Sequence, residues 1–166
     1  MYVAKLDNKE LKLERNPVAM NDLISLVVDS MSLQLQKRNT ELVLALEADP
    51  DVVIGDELHL SNMIYNLIDN ANKYSPEIPK ITIKTKNSAA GISIEVQDEG
   101  IGMTKEQTKR IFDQFYRVPT GNLHDVKGFG LGLSYVNDIV KQMNGTVKVQ
   151  SEKDKGTTFV IHLPIN

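Results

Sequence analysis

DELHLSNMIYNLIDNANKYSP, residues 56–76, carries two patterns at once. Leu60, Ile64, Leu67, Ile68 and Ala71 recur at steps of three and four, the spacing of an amphipathic helix. Asp56 stands where a short acceptor caps a first turn, and Pro76 closes the run because the residue before a proline is pushed out of helical backbone. Beside the apolar stripe, Asn66, Asn70 and Lys73 fall at i, i+4 and i+7, a polar line of two amides and an ammonium. Asparagine competes for backbone hydrogen bonds and forms helices poorly, so several of them inside a strongly periodic helix need a reason. A solvated face is the plain alternative.

Working outward, Met20, Leu23, Ile24, Val27, Val28 and Met31 predict a helix from 20 to about 37, with Asn21 or Asp22 as its cap. TELVLALE at 40–47 alternates, and Val52-Val53-Ile54 follows the turn Asp49-Pro50-Asp51; both read as strands. Downstream, 80–86 and 91–98 read as a hairpin in which Ile92, Ile94 and Val96 share one face, and period two puts Asp98 on that face. A short helix is predicted over 104–115, then a polar, aperiodic loop over 117–127. A third long helix carries Leu133, Val136, Ile139, Val140 and Met143 and stops at Asn144-Gly145. Strands over 146–151 and 157–163 close the chain, with Thr157 in phase with Phe159, Ile161 and Leu163. This order, with three hairpin-like connections, predicts a two-layer α/β sandwich, a mixed sheet with helices on one side.

Composition removes several classes. The 166 residues include no cysteine, which excludes disulfides, thiolate metal sites and thiol catalysis. Nineteen Lys and Arg against 22 Asp and Glu give a net charge of -3, so no basic field favours nucleic acid. No apolar run approaches the ~20 residues of a membrane helix. Asn144-Gly145-Thr146 matches a glycosylation acceptor but reads better as a helix stop.

Two glycine clusters remain. Asp98-Glu99-Gly100-Ile101-Gly102-Met103 sets a carboxylate at a strand end, able to accept from an exocyclic amine, followed by glycines that let the backbone approach a flat ligand. A tight turn with a paired Asp is the plainer reading of that segment. Gly128-Phe129-Gly130-Leu131-Gly132-Leu133 opens a helix, where backbone amides and a helix N-terminus suit a phosphate chain. Neither has the spacing of a P-loop or of a dinucleotide fingerprint.

Taken in order, NLIDNANKYS, DEGIG, IFDQFYR, GFGLGLS and the closing Gly156-Thr157-Thr158-Phe159 closely resemble the N, G1, F, G2 and G3 boxes of the catalytic, ATP-binding domain of sensor histidine kinases, in the GHKL superfamily. The resemblance covers residues 11–166 and leaves 1–10 as a linker or the end of an upstream dimerisation helix. It implies about five strands, three helices on one face and a flexible lid over ATP. It assigns Asn70 to Mg²⁺, Asn66 and Lys73 to the phosphate side, Tyr74 to the adenine or ribose, and Asp98 to the adenine amine. Gly102 and Thr157 complete the adenine site, with Gly100, Ile101 and Phe159 beside them. Gly128, Gly130, Leu131, Gly132 and Leu133 follow the phosphates. Arg117 and Lys127 reach the terminal phosphate from the lid, while Phe112 and Phe115 seat the lid or dock partner helices, or simply fill core.

Hydrolytic members of the superfamily carry a glutamate four residues before the metal-binding asparagine as general base; here that position is Asn66, which cannot take a proton from water. The resemblance therefore implies transfer of the γ-phosphoryl group to a histidine, with Asn66, Lys73, Arg117 and Lys127 as the catalytic group. His59, His124 and His162 do not lie in the family's acceptor setting. The acceptor is thus expected on upstream helices of a longer, homodimeric parent, attached to the inner membrane or else cytosolic, whose cytoplasmic catalytic domain this is, monomeric by itself, with a response regulator as partner. A GHKL hydrolase or anti-sigma-type serine kinase, and a module that has lost nucleotide, are the alternatives.

Overall fold

The computed structural model describes residues 12–114, 116 and 132–165. The first segment is β1 (Asn16–Ala19), followed by α1 (Met20–Ser30), α2 (Ser32–Lys37), β2 (Glu41–Leu46), β3 (Val52–Gly55) and α3 (Glu57–Lys73). Then come β4 (Lys80–Ser88), β5 (Gly91–Asp98), α4 (Lys105–Arg110), α5 (Gly132–Gln142), β6 (Thr146–Glu152) and β7 (Gly156–Pro164). Five strands form one mixed sheet in the order β2-β4-β5-β7-β6, parallel between β2 and β4 and antiparallel elsewhere.

The sheet is two-faced because its strands alternate. Ile81, Ile83, Ile92, Ile94, Val96, Phe159, Ile161 and Leu163 are buried on one face, under α1, α3 and α5. The five apolar residues of the 56–76 stripe are all buried in that layer. Lys84, Glu95 and Lys148 alternate with them onto the other face. This is the two-layer α/β sandwich expected from the pattern, with the long helices on one face.

Three local expectations are corrected. The predicted 20–37 helix is two helices, broken at Met31, where the backbone leaves helical values (φ -96°, ψ 6°). At the break Ser30 Oγ donates to the Val27 carbonyl (2.6 Å), a local side-chain bond that competes with the helix ladder. The cap of α1 is neither Asn21 nor Asp22: Ala19 holds that position, and Asp51 accepts from the Asn21 N–H at 2.9 Å across the fold. Finally, β3 does not pair with β2 as a hairpin. It pairs with β1, an antiparallel partner with no strong alternation to announce it.

Candidate functional site

The site grows from the C-terminal half of α3. Asp56 caps this helix, with Oδ1 accepting from the His59 N–H (3.2 Å) and Oδ2 from the Glu14 N–H (2.9 Å). Burial pushes its carboxyl up, but the Glu14, His59 and Leu58 amides and the His59 charge outweigh that and hold it below the ordinary value. Asn66, Asn70, Lys73 and Tyr74 are all half-buried along one side. Asn66 faces the start of α5: a Cβ placed on Gly132 would stand 3.3 Å from Asn66 Oδ1. Lys73 pairs with Asp69 at 2.9 Å, and Asp69 also accepts from Gln34.

Asn72 interrupts the solvated-face reading from the opposite direction. It is 3% exposed, and Oδ1 accepts from Thr40 Oγ1 at 2.5 Å while its carbonyl takes the Arg38 guanidinium. One of the asparagines is therefore structural, holding α3 to the α2–β2 turn. Arg38, which also donates to the Ser75 and Glu77 carbonyls, carries no sequence signal.

At the end of α3 the chain meets the first glycine cluster. The Tyr74 carbonyl accepts from the Ile101 N–H at 3.0 Å. Gly100 lies so close that a Cβ there would stand 2.5 Å from the Tyr74 oxygen, and Gly102 (φ +64°) would drive one into the Glu152 carbonyl at 1.9 Å. Their first duty is to let three stretches of this chain's own backbone meet, beyond the ligand approach that the sequence suggests. Asp98 is 8% exposed and sits opposite Thr157, equally buried, in the β5–β7 register. Its Oδ1 accepts from the Gly100 N–H at 2.8 Å. Burial pushes its carboxyl up to about 6, against the pull of the Gly100 and Thr157 amides.

Ser151 gives no signal in the sequence, although it faces Thr157 across the β6–β7 hairpin. Its Oγ accepts from the Met103 N–H (2.8 Å), donates to the Gly156 carbonyl (2.9 Å) and lies 2.8 Å from Thr157 Oγ1. The hydroxyl thus ties the turn after Asp98 to the last hairpin. Phe159 is 3% exposed and belongs to the core, with the partly buried Phe112 packed against it edge-on at 6.1 Å. Leu133 is buried as well. Helix α4 begins with a capping box, Thr104 with Gln107, and ends at Arg110, earlier than 115. Phe115, Arg117, His124, Lys127, Gly128, Gly130 and Leu131 lie outside the described residues.

Helix α3 thus borders the start of α5 at Asn66 and the turn after β5 at Tyr74. A family model for histidine kinase-, DNA gyrase B- and HSP90-like ATPases matches residues 55–166. The chain belongs to this ATPase family. Among relatives of this ATPase, the sensor protein RprX of Bacteroides fragilis is 42% identical over 99% of the chain and 32% of that protein's length. The sensor histidine kinase WalK of Bacillus subtilis is 30% identical over 99% of the chain and 27% of its own length. The chain thus spans about a third or less of the length of these two relatives. Among solved structures, full-length ShkA in complex with AMPPNP superposes with a TM-score of 0.83 at 26% identity, over 97% of this chain and 33% of that one. The catalytic domain of histidine kinase ThkA, nucleotide-free, gives 0.78 at 22% identity, over 93% and 98%. The ATPase domain is therefore of the histidine-kinase kind found in two-component sensors. No described helix is long and apolar enough to cross a membrane.

Proposed function

We propose that this domain binds Mg-ATP between α3, the turn after β5 and the start of α5, and transfers the γ-phosphoryl group to a histidine on the dimerisation helices of its parent protein. The observation that carries this reading is the buried Asp98–Thr157 pair at the end of the asparagine-lined helix: a carboxylate that accepts, walled by the backbone of the Gly100–Gly102 turn. In this reading Asp98 takes the adenine amine, Gly100, Ile101, Gly102 and Thr157 surround the base, and Tyr74 packs beside it. Asn66, Lys73 and Gly132 line the phosphates. Arg117, Lys127, Gly128, Gly130 and Leu131 belong to the same side by their place in the motifs.

Asn70 offers a single neutral amide oxygen. No cluster of three or more His, Cys, Asp or Glu able to hold a metal exists among the described residues. A one-oxygen protein contribution fits Mg²⁺ carried largely by substrate phosphates and water. When bound, that ion neutralises phosphate oxygens as charge develops in transfer. The acceptor imidazole nitrogen attacks the γ-phosphorus, the bond to the bridging oxygen breaks and ADP leaves. Asn66 supplies no base for water, which leaves positioning as the domain's contribution. The parent is a membrane-attached homodimer with this domain in the cytoplasm and a response regulator as receiver.

The test is incubation with γ-labelled Mg-ATP, with and without the parent's helical hairpin. Acid-labile, alkali-stable label on the hairpin is the expected result. Rapid release of free phosphate without the hairpin makes the domain a hydrolase, and no saturation at millimolar Mg-ATP removes nucleotide altogether.

A further inference from the structure

Strand β2 is the first in the sheet order, and among the described residues β4 is its sole strand partner. The Glu41 N–H donates to the Pro79 carbonyl (2.8 Å) and the Glu47 N–H to the Thr85 carbonyl (3.1 Å). The odd-numbered residues therefore turn their backbone groups to β4, and Leu42, Leu44 and Leu46 turn theirs to the open edge. The side chains there are apolar: Val43 is 57% exposed and Leu44 38%. Exposed edges are ordinarily blunted by mid-strand charge, proline, a bulge or a covering element. At the opposite edge β6 carries Lys148 mid-strand and has α4 packed beside it. Strand β2 has a charge only at each side of five uncharged residues, Glu41 and Glu47, both exposed.

The placement of those charges selects the occupant. ELVLALE has the same charge and apolar pattern from either end. A second copy paired antiparallel about Leu44 sets Glu41 against Glu47, and a parallel copy sets each glutamate against itself; like charges directly opposite are destabilising. A strand with a cation at each end meets both glutamates favourably in either direction. The occupied edge already shows this chemistry: β4 sets Lys80 opposite Glu41, with Ile81 and Ile83 opposite Leu42 and Leu44.

We propose that the edge of β2 left unpaired among the described residues is a docking site for an extended strand of a partner protein, with alternating apolar residues between two flanking lysines or arginines. The proposal is independent of the nucleotide reading, because no residue in it borders the site above.

The experiment titrates the full 166-residue chain with a labelled, end-capped heptapeptide, Lys-Ile-Thr-Ile-Thr-Ile-Lys, and with the same peptide bearing glutamate at both ends, at low salt. The lysine peptide is expected to bind about tenfold more tightly, as two cross-strand charge pairs change from repulsive to attractive. Amide exchange at Leu42, Leu44 and Leu46 should slow on binding. The double variant Glu41→Lys, Glu47→Lys should reverse the preference. Equal affinity for the two peptides on the unaltered chain overturns the proposal whether or not the variant folds, as does protection at other amides alone. A concentration-dependent dimer in sedimentation, with those three amides protected without peptide, gives the edge to a second copy and overturns it too.

Discussion

Asp98, the proposed adenine acceptor, is held at a cost to the empty fold. Its carboxyl is buried and pushed up to about 6, so the folded state holds its proton more tightly than the unfolded chain does. A raised carboxylate contributes stability that is complete below the unfolded value of about 3.8 and is lost as pH rises through about 6. The shift corresponds to about 3 kcal/mol at pH 8, as an upper bound. Asp98→Asn keeps an oxygen for the Gly100 N–H and removes the buried charge. Melting of the nucleotide-free variant should therefore exceed that of the parent sequence at pH 8, by as much as about 3 kcal/mol, and match it near pH 4. Nucleotide affinity should move the other way, falling by at least ~2 kcal/mol as an acceptor becomes a partial donor against an amine. Calorimetric melts and a nucleotide titration on the same samples check both signs; unchanged affinity removes the adenine role. Asp98 and Thr157 are legible in the sequence, because strand parity alone puts them on the inner face. Ser151 is not, because its role depends on three backbone segments meeting at one hydroxyl.

Helix α3 is the element that joins stability to site geometry. Its cap is also a tertiary contact, since Asp56 holds the Glu14 N–H as well as its own first turn. Asp56→Ala should destabilise the domain by about 1–2 kcal/mol, more than a cap with no distant partner. Because the Asp56 carboxyl is held low, its contribution is present above about 3.8 and fades as pH falls below that value. The difference in urea midpoint between variant and parent should be smaller at pH 3 than at pH 7. The start of α3 is also tied to α5, through His59 Nδ1 and Tyr135 Oη at 2.5 Å. The apolar stripe reveals this helix completely, from cap to last turn. For α1 the same signal runs through the break at Met31, since periodicity records which side is buried and is blind to a carbonyl taken by Ser30.

For the whole molecule, a nucleotide held as proposed between α3, the turn after β5 and the start of α5 binds only the folded state and must raise its stability by mass action. Mg-ATP at one hundred times its dissociation constant should add about 2.7 kcal/mol, read as a concentration-dependent rise in Tm. ATP without the metal should do nearly as much in an Asn70→Ala variant as in the parent, whereas the added effect of Mg²⁺ should shrink. If Mg²⁺ adds as much in the variant, the metal does not rest on Asn70.

The sequence by itself determined the layers and, through the resemblance of its motifs, named the candidate site. Alternation and the three-and-four spacing are local consequences of which side chains water rejects, so sheet, long helices and inward-facing Asp98 all follow from neighbours in the chain. Tertiary structure alone decided the partners: β1 against β3 instead of β2 against β3, Asp51 on the Asn21 N–H in the first turn of α1, and Arg38 and Thr40 on Asn72. Each is a hydrogen bond between residues far apart in the chain, and a donor or acceptor on its own does not say which distant group will satisfy it. That choice falls to the packed core, which buries the apolar stripes first and leaves the polar groups to pair with whatever the packing brings alongside.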